Sequence, residues 1–212
     1  MKVTKQEHSC LIVESAGKNL IIDPGSFTTL LVGMSDVVAI VVTHEHADHW
    51  TSEQLERILE RNPDARIFGP PGVVAAASEY TIEPVVDGDA IEVGPFALRF
   101  FGSEHAVIHT SIPIVDNVGV LVNDELYYAG DSYTLPEGIA VGTLAVPAGA
   151  PWLKIGEVID YVAAIAPRRS FAVHEMVLSA AGKAMSNARI KAATELGGGE
   201  FFALDPGETL EL

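Results

Sequence analysis

Cysteine is nearly absent from this chain, because Cys10 is the only one among 212 residues. A single cysteine excludes an intrachain disulfide and permits a reducing cytoplasm. The hydrophobic fraction of 48% is large enough for a packed core. Cys10 precedes the apolar run Leu11 to Val13, and we expect it to pack in the core and not to bind a ligand.

Positive charge is also scarce. The chain has 13 Lys and Arg against 29 Asp and Glu, which gives a formal net charge of −16. A strongly negative surface repels the phosphates of nucleic acids and anionic membranes, so we expect neither as a partner. The charge leaves a small-molecule substrate and a homo-oligomer open.

Long apolar runs and an export signal are missing as well. The longest uncharged run, Gly138 to Leu153, is too short and too rich in glycine and proline to span a bilayer. The first residues, Met1 to Glu7, lack the apolar centre of a signal peptide. We therefore expect a cytoplasmic protein.

The pattern of apolar residues predicts an α/β protein in which β-rich parts alternate with βα units. A hairpin is expected around Gly17-Lys18-Asn19, and Thr51-Ser52-Glu53-Gln54 has the pattern of a capping box that opens a helix through about Arg61. Further helices are predicted from Ile155 to Ala166 and from about Ser186 to Leu196. Two packed sheets with helices outside, forming a single domain over residues 1–212, accommodate this order.

Four residues with metal-binding side chains lie within six positions directly after the predicted strand Val37 to Val42. They form the pattern H-x-H-x-D-H and are His44, His46, Asp48 and His49. In extended backbone His44 and His46 project to the same side, because they are two positions apart. Imidazole and carboxylate together are ligands that zinc, iron and manganese accept. The motif therefore predicts a metal site.

Three more candidate ligands follow predicted strands in the second half of the chain, namely His105, Asp131 and His174. Ligands at strand ends, on loops that share one edge of a sandwich, can build a site from distant parts of a sequence. His109 competes with His105 for one ligand position, and we prefer His105 because it lies nearer to the strand end.

This series of motifs resembles that of the metallo-β-lactamase superfamily. The resemblance extends from Asp23 to His174, and its most specific element is H-x-H-x-D-H. It implies an α/β fold that is a four-layer αββα sandwich, in which two mixed β-sheets are flanked by helices and the site lies at one edge of the sheets. The segments His8-Ser9-Cys10 and Gly130-Asp131-Ser132 are most similar to the compact branch that includes L-ascorbate-6-phosphate lactonase.

The resemblance also implies how two divalent metal ions would be held. His44, His46 and His105 would bind one ion, Asp48, His49 and His174 the second, and Asp131 would bridge them. We expect zinc, with manganese or iron as alternatives. A hydroxide that bridges the two ions would act as the nucleophile, and Asp48 would orient it or pass a proton to the leaving group.

Five further residues are candidates for the surroundings of the metals. Asp23 resembles the aspartate that orients a metal-binding histidine in the superfamily, although it also fits a plain Asp-Pro-Gly turn. His8 could face the pocket or cap a strand. Trp152 and Tyr133 could form the pocket wall or pack in the core, and His109 could contact substrate or lie on the surface.

The predicted function is metal-dependent hydrolysis of a small-molecule lactone, ester, amide or phosphoester. One alternative within the same fold is a nuclease or phosphodiesterase, which the acidic composition disfavours for nucleic acid substrates. The alternative from another class is a non-enzymatic binding or regulatory protein that keeps the metal as a structural element. The intact motif favours the hydrolase.

Overall fold

The computed structural model describes residues 1–212 and contains fourteen strands and four helices. The first half of the chain forms β1 (Lys2–Lys5), β2 (Leu11–Ser15), β3 (Lys18–Ile22), β4 (Val37–Val41), α1 (Ser52–Leu59), β5 (Arg66–Gly69), α2 (Pro71–Ala76), β6 (Ile82–Pro84), β7 (Ala90–Val93) and β8 (Phe96–Phe101). The second half forms β9 (Gly119–Val122), β10 (Leu126–Tyr128), β11 (Thr143–Pro147), α3 (Ile155–Ile165), β12 (Arg169–Val173), α4 (Ala180–Leu196), β13 (Glu200–Phe202) and β14 (Thr209–Glu211).

The strands form two mixed sheets of seven strands each. The first sheet has the order β14-β1-β2-β3-β4-β5-β6, antiparallel from β14 to β3 and parallel from β3 to β6. The second has the order β13-β12-β11-β10-β9-β8-β7, parallel from β13 to β10 and antiparallel from there to β7. Each half of the chain therefore combines hairpins with βα units.

Three apolar cores separate four layers. The largest contains residues from both sheets, such as Leu11 and Phe171, and lies between them. A second core joins the outer face of the second sheet to α3 and α4 through Val158 and Ile190. A third joins the outer face of the first sheet to α1 and α2, with Ile58 at its centre. The predicted four-layer αββα sandwich is confirmed.

The burial of individual strands follows from these layers. Four of the five residues of β4 are buried, because the inner core covers one face of this strand and α1 the other. By contrast, β8 alternates, with Phe96, Leu98 and Phe100 buried and the residues between them exposed, as expected where no helix covers the outer face. Cys10 is fully buried in the third core, as predicted.

Several details differ from the sequence-based expectations. The last helix begins at Ala180 and not near Ser186, because the Ser179 side chain accepts a hydrogen bond from the Gly182 N–H and caps it there. The predicted capping box is only half formed. Thr51 accepts the Gln54 N–H, but the Gln54 side chain is buried and bonds the backbone of the loop before β4. None of the helices has the length and apolar character needed to cross a bilayer.

Candidate metal centre

The H-x-H-x-D-H motif and the later candidate ligands meet at one edge of the two sheets. His44 lies three residues beyond the end of β4, Asp131 three residues beyond β10, and His174 directly after β12. The φ angle of His174 is +58°, a left-handed conformation that few non-glycine residues adopt. At His174 the backbone therefore turns away from the direction of β12.

The first group of ligands contains His44, His46 and His105, whose ring nitrogens lie within 4.8 Å of one another. Nε2 of His44 is 3.1 Å from Nδ1 of His46. Two ligands that each lie about 2.1 Å from one ion, at a tetrahedral angle, are separated by about 3.4 Å. The spacing of the first group therefore suits a shared ion.

The second group contains Asp48, His49 and His174. Oδ2 of Asp48 is 3.5 Å from Nε2 of His174 and 3.8 Å from Nε2 of His49. Asp48 is the most open of the three, with 26% of its side chain exposed, whereas both histidines are buried. A ligand set of two imidazoles and one accessible carboxylate leaves room for a reacting molecule.

Asp131 lies between the two groups and contacts both. Its Oδ1 is 3.4 Å from Nε2 of His49, and its Oδ2 is 3.4 Å from Nε2 of His105 and 3.1 Å from Nε2 of His174. The carboxylate is almost fully buried, so its negative charge needs compensation. This is the geometry that a bridging ligand requires.

Four imidazoles have their tautomers fixed by hydrogen bonds on Nδ1. The Nδ1–H of His49 donates to Asp23 at 2.6 Å, that of His105 to the Ala106 carbonyl at 2.5 Å, and that of His174 to the Gly149 carbonyl at 2.7 Å. The Nδ1–H of His44 donates to Oγ1 of Thr43 at 3.1 Å, since the Thr43 hydroxyl hydrogen is used by Asp23. Nε2 of all four rings is therefore directed into the cluster, which is how hydrogen bonds on the other ring nitrogen orient a histidine for a metal.

The same atoms test whether this site fits a metal ion. Nε2 of His49, Nε2 of His105, Nε2 of His174 and Oδ1 of Asp131 are buried and have no hydrogen-bond partner. Leaving a buried polar atom unpaired costs about 1–3 kcal/mol each. Four such atoms converge on one space, and nitrogen and carboxylate oxygen are donors that zinc, manganese and iron accept. The residues fit divalent metal ions.

Charges within the cluster shift the pKa values in opposite directions. Burial opposes the charged forms of both Asp131 and His174, but their mutual attraction outweighs it. The pKa of Asp131 is therefore held well below its ordinary value by His49 and His174, and the pKa of His174 is raised well above its own by Asp131. Burial, followed by the charge of His49, lowers the pKa of His44. His44 is thus neutral and ready to bind a metal at neutral pH.

The structure distinguishes among the less certain candidates. It brings His105 and not His109 to the first group, since His109 is exposed and bonds only Ser111. A substrate contact of His109 stays a prediction. His8 is fully buried, with Nε2 3.2 Å from Oδ2 of Asp48.

Trp152 and Tyr133 lie behind Asp131. Nε1 of Trp152 donates a hydrogen bond to Oδ2 of Asp131 at 2.8 Å. The Trp152 ring packs edge-on against His105 and against Tyr133, at centroid distances of 5.9 Å and 5.2 Å. Trp152 therefore packs against neighbouring rings and also lines the site. Tyr133 packs against the Trp152 ring.

Two buried polar residues that build the site were missed in the sequence. The Thr43 N–H and hydroxyl both donate to the Asp23 carboxylate, at 2.8 and 2.7 Å. Asn117 accepts the Asp131 N–H at 3.0 Å and donates to the Ala129 carbonyl at 2.9 Å, which shapes the turn that presents Asp131. Thr43 directly precedes the motif and was a visible signal, whereas nothing near Asn117 pointed to it.

The turn Asp23-Pro24-Gly25 packs against the motif loop. A Cβ on Gly25 would lie 1.9 Å from the Asp48 carbonyl oxygen, so only glycine allows this approach. The Ser26 N–H also donates to the Ala47 carbonyl at 2.8 Å. The turn and the orienting contact of Asp23 with His49 are thus two aspects of one structure, and the two interpretations of Asp23 are compatible.

Comparison with known proteins agrees with this geometry. Residues 2–174 match the family described as "Beta-lactamase superfamily domain". The chain belongs to this superfamily. It is 37% identical over 184 residues to Protein Rv0786c of Mycobacterium tuberculosis, which covers 84% of this chain and 86% of the relative. It is 30% identical over 185 residues to UPF0173 protein PF0020 of Pyrococcus furiosus, with 82% and 83% covered.

A solved structure shows the same metallo-β-lactamase fold. Igni18, described as a metallo hydrolase from the archaeon Ignicoccus hospitalis, superposes with a TM-score of 0.74 at 17% identity, covering 100% of this chain and 98% of its own. At this identity the likeness concerns the fold. The superfamily membership, the fold and the grouped histidines and aspartates together support a metal-dependent hydrolase.

Proposed function

We propose that this chain hydrolyses a small, uncharged lactone, ester or amide with the help of two divalent metal ions. His44, His46 and His105 would hold one ion, Asp48, His49 and His174 the other, and Asp131 both. The observation that carries the proposal is the convergence of buried Nε2 and carboxylate atoms without hydrogen-bond partners. Zinc is the ion expected for this donor set, with manganese or iron as alternatives.

Bound divalent ions lower the pKa of water from 15.7 to about 7 and polarise a carbonyl oxygen. The chain's own residues supply positioning and proton transfer. Asp131 is fixed by the Trp152 N–H, and Asp23 fixes the His49 ring. Asp48 is the one partly exposed acid of the cluster, so its carboxylate can accept a proton from the attacking water and then pass that proton to the leaving group.

The charges around the site support an uncharged substrate. No lysine or arginine forms an ion pair with Asp23, Asp48 or Asp131, and Lys5 and Lys183 both pair with Glu175, next to His174. A phosphate or carboxylate on the substrate would therefore have to compete with Glu175 for these two cations. This disfavours the phosphorylated substrate that the resemblance to the ascorbate-6-phosphate lactonase branch would suggest.

A recess beside the centre offers space for the apolar part of such a substrate. It has a volume of about 500 Å³ and is lined mainly by apolar residues, among them Val107, Ile108, Tyr133, Trp152 and Leu153. Its only lysine, Lys154, pairs with Glu157 at 3.2 Å. A larger depression of about 610 Å³ around Asp87 and Thr134 includes no candidate ligand, so we favour the recess that shares Trp152 with the centre.

The test is a substrate panel with zinc- or manganese-loaded protein. It contains neutral lactones and aryl esters, the same compounds carrying a phosphate, and a phosphodiester. We expect turnover of the neutral carbonyl compounds. Asp48→Ala should lower it by roughly 10²–10⁴-fold, whereas Asp64→Ala, which removes an exposed acid far from the site, should not change it.

Three results would count against the proposal. Unchanged turnover in Asp48→Ala would place the site elsewhere. Preference for the phosphodiester would favour a phosphodiesterase of the same fold. Two bound metal ions without turnover of any compound would favour the binding or regulatory protein.

A further inference from the structure

His8 lies in the turn between β1 and β2 and is fully buried beside the second ligand group. Its φ angle is +59°, in the left-handed region that few non-glycine residues occupy. The His8 carbonyl accepts a hydrogen bond from the His174 N–H at 2.8 Å. This bond joins the first sheet to the end of β12 and fixes the position of the imidazole.

The His8 ring makes two polar contacts. Nδ1 accepts a hydrogen bond from the Met176 backbone N–H at 3.4 Å, and Nε2 lies 3.2 Å from Oδ2 of Asp48. The ring also packs against His174 and Phe27, at centroid distances of 3.9 Å and 5.0 Å. Both ring nitrogens are therefore used, and the ring is held from both sides.

These contacts determine which nitrogen carries the hydrogen. A neutral imidazole has one N–H and one lone pair. Because Nδ1 accepts from Met176, the lone pair is on Nδ1 and the hydrogen is on Nε2. His8 then donates to Asp48 and presents no lone pair to the metal cluster, although its distances alone would allow it to be a ligand.

Asp48 depends on this donor. No other side chain outside the predicted ligand set, and no backbone N–H, makes a hydrogen bond or an ion pair with its carboxylate. A partly exposed aspartate in a loop otherwise exchanges between rotamers. A carboxylate oxygen has two lone pairs, so Oδ2 can accept from His8 and still bind a metal.

We propose that His8 is a positioning residue, whose Nε2–H holds the Asp48 carboxylate toward the half-site that Asp48 shares with His49 and His174. The inference rests on the proposed function only in that it requires a metal at this half-site. It does not require any particular substrate, and it adds an eighth position, beyond the seven predicted ligands, on which metal binding depends indirectly.

The test measures zinc binding and not hydrolysis. Purified protein is stripped of metal and titrated with Zn²⁺ in competition with a chromogenic chelator. His8→Phe keeps a ring but has no N–H, whereas the amide nitrogen of His8→Gln can take the place of Nε2. We expect His8→Phe to weaken one of two zinc equivalents by about 10–100-fold, His8→Gln to restore most of it, and the exposed control His109→Phe to bind both ions normally.

Several outcomes would overturn the proposal. Normal binding of both ions by folded His8→Phe would show that Asp48 needs no such donor. Equal losses in the Phe and Gln variants would identify His8 as a metal ligand. Binding of no zinc by the wild-type chain would reject the proposed function and this inference together, whereas zinc binding without any hydrolysis rejects the proposed catalysis alone.

A measurement on the wild-type chain covers the case in which the variants do not fold. The imidazole nitrogen shifts of the zinc-loaded protein, labelled with the heavy nitrogen isotope, report the tautomer of His8. Hydrogen on Nε2 and a free lone pair on Nδ1 are expected. A hydrogen on Nδ1 with Nε2 bound to zinc would overturn the positioning role.

Discussion

The Asp23 carboxylate lies 2.6 Å from Nδ1 of His49, and both side chains are fully buried. The same carboxylate accepts the N–H and the hydroxyl of Thr43, so three donors hold it in place. His49 in turn has its Nε2 directed toward Asp48 and Asp131. One buried aspartate thus sets the orientation of a candidate ligand without being a candidate ligand itself.

Replacing Asp23 by asparagine tests this orienting contact. An amide lacks the charge and can offer only one acceptor oxygen to three donors, so metal affinity should fall by about 10–100-fold. Asparagine tolerates the φ of +48° at this position, so the backbone should be retained. Asp36→Asn is the matched control, since Asp36 has a φ of +59° but pairs with Lys18 on the surface. Equal zinc affinity in both variants would contradict the orienting role.

A substitution at Trp152 tests whether its hydrogen bond holds the Asp131 carboxylate in place. Trp152→Phe removes the N–H that donates to Asp131 but keeps most of the packing against His105. The lost hydrogen bond to a charged acceptor corresponds to about 1.5–3 kcal/mol, so we expect metal binding to weaken by at least tenfold. Tyr80→Phe removes a hydroxyl that donates to the Ser52 carbonyl, outside the ligand loops, and it should bind metal normally. A calorimetric zinc titration compares the two, and normal binding by Trp152→Phe would rule out this support.

Metal binding should release protons and strengthen as the pH rises. Burial opposes protonation of His49 and His174, but Asp131 raises the pKa of both above the ordinary value. Without metal, these two histidines therefore keep their protons to a higher pH than usual. A metal ion that binds to them must displace these protons. Below the raised pKa values, the affinity should fall by about tenfold per pH unit for each proton displaced. Zinc titrations in buffers of different ionisation enthalpy count the protons, and a pH-independent affinity would contradict this assignment.

Much of the fold and of the site was predictable, because the chemistry is concentrated where strands end. H-x-H-x-D-H follows the apolar run of β4, and His105, Asp131 and His174 each follow a strand. Alternation of apolar residues identifies a strand, and the side chains after it are therefore visible in the sequence.

Contacts between distant residues were not predictable. The bond from Trp152 to Asp131 depends on the pairing of β10 with β11, and the contact of His8 with Met176 depends on how the two sheets pack. The short strands β1, β6 and β14 were missed because they have three or four residues each and weak alternation. Lys5 illustrates the limit, since a lysine in a short strand is normally exposed.

Lys5 is instead buried and pairs with Glu175, next to His174. Lys5→Met would leave the Glu175 carboxylate buried with only Lys183 nearby, at 3.7 Å. We expect a loss of about 3–5 kcal/mol in the free energy of unfolding. Lys2→Met, on the same strand, breaks an exposed pair with Glu14 that is worth at most about 1 kcal/mol. Urea unfolding of both variants measures the difference, and equal stability would show that the buried pair contributes nothing.

The number of metal ions bound per chain tests the central claim most directly. The purified protein is analysed for metal content, stripped with a chelator and reloaded with zinc or manganese, while hydrolysis and stability are followed. Two ions per chain are expected from the two ligand groups that share Asp131, with activity lost on chelation and regained on reloading. Less than one bound transition metal per chain, together with full stability in chelator, would contradict the dinuclear centre.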